Sequence, residues 1–144
     1  MVDQKRQAEL RAAIELFFFG YRAFTSHPDR ILGERALGRA HHRILYFIGH
    51  RPGIAISGLL DVLGVSKQAL NAPLRQLLEM KLVAVTPAAH DRRFRELRLT
   101  AEGARLEALL TGTQMKLLAS VFDAVSPGSE AGWRKVMARM PGRS

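Results

Sequence analysis

The chain has 144 residues, enough for one domain with a sizeable core, and its 47% hydrophobic and 24% charged content is an ordinary globular balance that excludes wholesale disorder. Lys and Arg number 22 against 13 Asp and Glu, a formal charge of +9 that steers the chain toward polyanions, nucleic acid first and acidic membrane second. With no cysteine, disulfides, thiolate metal sites, a cysteine nucleophile and thiol redox sensing are excluded.

From about Asp3 to Thr25, Leu10, Ile14, Phe17, Tyr21 and Phe24 recur at three- and four-residue steps and predict a helix that "SHP" (Ser26 to Pro28) ends. Phe17, Phe18 and Phe19 are neighbours about 100° apart and cannot share one narrow face. A wide buried face would cover them; a subunit partner is the preferred expectation, because a helix apolar over much of its girth must be covered on several sides. "LFFFGY" is far too short to span a bilayer, and Asp3 and Glu9 interrupt any signal-peptide pattern. No membrane association is expected, and a cytoplasmic location is.

A second helix is expected from about Leu37 to His50, with Leu37, Ile44, Phe47 and Ile48 inward and Arg39, Arg43 and His50 outward, stopped by "RPG" at Arg51 to Gly53. A short helix through Leu63, a turn at Gly64 and a longer helix capped by Ser66 follow. Two helices across a tight glycine turn form a helix-turn-helix. On the second of them, Lys67 to Met80, Leu70, Leu74, Leu77 and Leu78 make the apolar stripe. Lys67, Gln68, Asn71, Ala72 and Arg75 lie opposite. Asn and Gln can pair bidentately with adenine, and Arg with guanine, in a major groove that admits a helix. Pro73 would remove a hydrogen bond inside this helix, which is either kinked there or begins later.

Leu82 to Thr86 and Arg95 to Leu99 read as two strands around a loop. Arg92, Arg93, Arg95 and Arg98 crowd this hairpin, and such like charge is a cost unless an anion cancels it. A loop of this kind can reach a neighbouring minor groove, whose negative potential draws arginine inward, with Asp91 as a local brace for loop amides or a guanidinium. Thr100 caps a long helix carrying Leu106, Leu109, Leu110, Leu117 and Val121. "SPGS" breaks it, and Trp133, Val136, Met137 and Met140 form a last amphipathic helix. The expected fold is mainly α with a small β-hairpin.

His41 falls on the inner side of its helix as a hydrogen-bonded core or interface residue, and none of the five histidines has metal-ligand spacing. "SHPD" contains Ser, His and Asp, but adjacency in one turn is no triad. With no phosphate loop, dinucleotide fingerprint or zinc-protease motif, neither an enzyme nor a cofactor is expected.

"GVSKQALNAPLRQLLEMKLV" and "DRRFRELRLTAEG" together resemble the reading helix and wing motif of the MarR family of dimeric bacterial transcription regulators. The resemblance covers almost the whole chain. It implies a single domain over 1–144, with 37–100 the winged helix-turn-helix lobe and 1–36 and 101–144 the helical dimerisation parts. It also implies double-stranded DNA as partner, a homodimer, and a pseudo-palindromic operator released by a small, often aromatic or anionic, effector. Asp91 would be the wing-bracing acid and Arg93 the minor-groove arginine, with Lys67, Gln68, Asn71 and Arg75 toward the groove and Arg92 and Arg95 beside Arg93. Departures from the family pattern are Lys81 in place of a helix-ending glycine, Ala55 in place of a capping hydroxyl, Pro73, and the short Ala72. The expected function is a sequence-specific DNA-binding repressor; the alternative is an architectural or protein-binding winged helix without operator specificity.

Overall fold

The computed structural model describes residues 3–142 as six helices and one hairpin. In order these are α1 (Gln4–Gly33), α2 (Arg39–His50), α3 (Ile56–Leu63), α4 (Lys67–Glu79), β1 (Val83–Pro87), β2 (Arg95–Leu99), α5 (Ala101–Asp123) and α6 (Pro127–Ala138). Hydroxyl and carboxylate caps start four of the helices. Asp3, Ser66, Thr100 and Ser126 accept from the amides of Arg6, Ala69, Gly103 and Ser129. Ala55 offers α3 no such bond.

The strands pair antiparallel in the register Val83↔Leu99, Val85↔Leu97 and Pro87↔Arg95, so Leu82, expected to open the first strand, falls just outside it and Pro87 closes it instead. Leu97 also exchanges hydrogen bonds with the link between α2 and α3, donating to Ile54 at 2.9 Å and accepting from Gly53 at 3.1 Å. The core gathers beneath this sheet: Leu37, Ile44, Leu45 and Ile48 of the α2 region, Leu59 of α3, Leu70, Leu74 and Leu77 of α4, Leu97, and Leu106 and Leu110 of α5. Burial at these spacings is what the 3.6-residue period requires of a lobe-facing stripe.

One expected boundary was wrong. The first helix does not stop at Ser26-His27-Pro28 but runs on to Gly33, with Pro28 buried inside it. Proline withholds the hydrogen bond that position 28 would give the Phe24 carbonyl, and Gln114 Nε2 of α5 supplies a substitute at 3.4 Å. At Pro73 the helix is likewise continuous, and it begins at Lys67, not later. Lys81 adopts φ +60°, the left-handed conformation that glycine takes most easily. There it closes a Schellman motif, Leu82 N–H to the Leu77 carbonyl (3.0 Å) and Lys81 N–H to that of Leu78 (3.1 Å).

The hairpin and α5 are fastened together. The Leu82 carbonyl accepts the Thr100 amide at 3.1 Å, Thr100 Oγ1 donates to the Lys81 carbonyl at 2.7 Å, and a Cβ at Gly103 would overlap the Leu82 oxygen. At the far end, α6 buries no residue, and every residue of 3–23 is exposed.

Candidate nucleic-acid interface

The turn into α4 rests on Gly64, whose φ of +65° ends α3 in the left-handed region. α4 then buries Leu70, Leu74 and Leu77 and leaves Lys67, Gln68, Asn71, Ala72 and Arg75 exposed. The side chains of Lys67, Gln68, Asn71 and Arg75 make no hydrogen bond or ion pair among the described residues, so their polar groups are free for an outside partner. Gln76, the next polar residue of the helix, is instead tied inward. Its Oε1 lies 2.8 Å from His41 Nε2, and its Nε2 donates to the Ala36 carbonyl at 3.3 Å. Because His41 Nδ1 accepts the Gly38 amide at 2.9 Å, the imidazole proton sits on Nε2 and points at Gln76. His41 is thus the hydrogen-bonded residue expected, and it fixes α4 against α2.

In the wing, Asp91 behaves as the expected brace. Its Oδ1 accepts the Arg93 amide at 3.0 Å, and its two oxygens take the Arg93 guanidinium in a fork, the shortest contact 2.7 Å. That pairing holds the Asp91 carboxyl below the usual carboxylate range and raises the Arg93 guanidinium. The Arg93 side chain nevertheless remains 88% exposed, and an exposed pair of this kind exchanges readily with another anion. Arg92 and Arg95 have no such partner among the described residues. Arg98 is different: Glu96 Oε2 accepts from it at 2.9 Å, beside Gly53 at the base of the hairpin. Two arginines of the four are therefore compensated within the wing and two are not. Strand alternation carries the signal for the Glu96–Arg98 pair, since residues two apart share a face. Also missed was Phe94, exposed at the loop and stacked on His90.

A cleft of about 330 Å³ opens where α1 and α5 meet α2. Arg43 donates to Tyr21 Oη at 2.7 Å there, Arg39 forks onto Asp29, and Phe24, Tyr46 and Met115 supply apolar walls. Among the described residues, no group of three His, Asp or Glu side chains could hold a metal ion. No helix among them is long and apolar enough to cross a membrane.

A helix pair across a glycine turn, a hairpin whose second strand also bonds to the α2–α3 link, and long flanking helices define a winged helix-turn-helix protein. The MarR family model matches residues 37–93. The HTH-type transcriptional regulator PetP of Rhodobacter capsulatus is 44% identical over 132 residues, covering 92% of this chain and 80% of that one. The chain belongs to the MarR family of winged-helix transcription regulators. Solved structures agree on the fold. Streptococcus pneumoniae FabT in complex with DNA superposes with a TM-score of 0.77 at 18% identity, over 90% of this chain and 92% of that one. The S. aureus MepR–DNA complex gives 0.70 at 17% identity, over 88% and 93%.

Proposed function

We propose that this regulator is a cytoplasmic homodimer that represses transcription by gripping a pseudo-palindromic operator in double-stranded DNA. In this reading Lys67, Gln68, Asn71 and Arg75 face a major groove, and Asp91, Arg92, Arg93 and Arg95 form the wing contact to the adjacent minor groove. The observation that carries it is the partnerless polar face of α4, set opposite a buried leucine stripe. Many surface helices carry polar groups; what favours a duplex reader is that these lie on the second helix of a helix-turn-helix pair, the one that enters the groove. The FabT and MepR complexes with DNA support the same use of the fold. Dimerisation through 1–36 and 101–144 would place two copies of the 37–100 lobe on successive grooves. The cleft between α1, α2 and α5, with Arg43 and aromatic walls, is the place for a small aromatic or anionic effector that releases the operator.

The test is binding to a duplex selected from genomic fragments. Specific binding should survive salt that strips random DNA, Arg93→Ala should weaken it, and Asn71→Ala should mainly relax base preference by about 1–3 kcal/mol. Equal affinity for selected and random duplex would favour the architectural alternative; indifference to both substitutions would show the interface to be elsewhere.

A further inference from the structure

Phe94 is the one large apolar side chain of the loop from Ala88 to Phe94, and it is 58% exposed. Its backbone is held by the loop and its ring meets one neighbour. The Phe94 amide donates to the Asp91 carbonyl at 3.1 Å, and its carbonyl accepts from Ala88 at 2.8 Å, so both backbone groups close the loop. The ring stacks on the His90 imidazole, centroids 6.0 Å apart and planes 23° from parallel. A phenyl ring left in water contributes little to the isolated chain, because the burial that would stabilise it is missing.

Whatever covers this ring must also accept Arg92, Arg93 and Arg95, which flank it in the chain. A second copy of the same tip would repel through those guanidinium groups. A duplex minor groove suits both features, since its walls are deoxyribose carbon and its rims are phosphate, and minor-groove proteins do place apolar side chains there. Resting on the DNA-binding reading above, we infer that Phe94 is itself a DNA-contacting residue, its ring packed on the sugar wall of the minor groove while the neighbouring arginines hold the rims. His90 acts through Phe94 as a positioning residue.

Apolar packing and phosphate neutralisation separate by salt. Loss of a phosphate contact lowers both the affinity and the slope of log K against log salt, whereas loss of a packed ring lowers affinity with the slope intact. On a duplex selected from genomic fragments, Phe94→Ala should bind about tenfold more weakly at every salt concentration, with the wild-type slope and melting temperature. Phe94→Leu should recover most of the loss, and Arg92→Ala should flatten the slope. A merely structural role for the ring would displace Arg92 and Arg93 as well and flatten the slope in Phe94→Ala; that result overturns the inference. So does wild-type duplex affinity in Phe94→Ala, with or without loss of sedimentation on phosphatidylglycerol vesicles, the outcome that would assign the ring to a membrane surface. If the wild type binds no duplex, the proposed function itself falls. If it binds and Phe94→Ala binds equally, only the role of Phe94 does.

Discussion

His42 is buried under α5, its Nε2 3.1 Å from Thr111 Oγ1, and burial pushes its imidazole below the ordinary value of 6.5. Glu107 and Asp29 face it with negative charge and Arg43 with positive, but desolvation is the largest influence. The unfolded chain therefore takes up this proton at a higher pH than the folded one does. Stability from this residue is complete above about pH 6.5 and is lost as the pH falls toward the depressed folded value. Thermal unfolding from about pH 7.5 to about pH 5.5 should show a larger drop in Tm for the wild type than for His42→Gln. Equal drops would mean that His42 takes up its proton equally in the folded and unfolded states. Neighbouring Glu107 is buried as well, with Oε2 3.4 Å from His50 Nε2 and no hydrogen bond to that oxygen among the described residues.

Among the elements, α1 is the one whose length was misread. A proline signals a helix end because it leaves the carbonyl four residues earlier without a donor, and that inference fails when another chain segment supplies one. Gln114 does so for Phe24 from a position ninety residues away, which no local pattern reports. Gln114→Ala should cost about 1 kcal/mol by stranding the Phe24 carbonyl. In a Pro28→Ala background the restored amide at 28 should absorb most of that cost, giving a coupling of about 0.5–1 kcal/mol in a double-mutant cycle of denaturant unfolding. Additive costs would show that Gln114 acts other than through the carbonyl that Pro28 leaves without a donor. The elements whose signals are local were legible: the capped starts at Ser66 and Thr100, the turn at Gly64 and the alternation of β2. The exposed face of α4 was legible for the same reason, because its leucines fix which side is buried. What the residue order hid were contacts set by three-dimensional closure, such as His41 with Gln76 and the ring stack of His90 on Phe94.

For the whole molecule, much of the exposed apolar surface lies on the first and last helices. Ile14, Leu16 and Phe18 are 67%, 75% and 59% exposed on α1, and Val136 is 61% exposed on α6. Apolar side chains exposed in this way suit the dimer interface proposed above. Light scattering at micromolar concentration should give twice the 16.0 kDa chain mass, and Phe18→Asp should shift it toward the monomer and weaken operator binding. A monomeric wild type would contradict the proposed assembly. Per dimer, about six to ten neutralised phosphates would make operator affinity fall steeply with salt.

The Leu82 carbonyl, gripped by the Thr100 amide and crowded by Gly103, leaves no slack between hairpin and helix. The 23 residues of α5 make a rod about 35 Å long, so pivoting it by about 5° at its C-terminal end carries the hairpin root sideways by about 3 Å. A cushioned joint would dissipate such a tilt. A welded one delivers it undiminished to the arginine-bearing tip, so in the proposed dimer the distance between the two tips would follow the angle of the rods behind them.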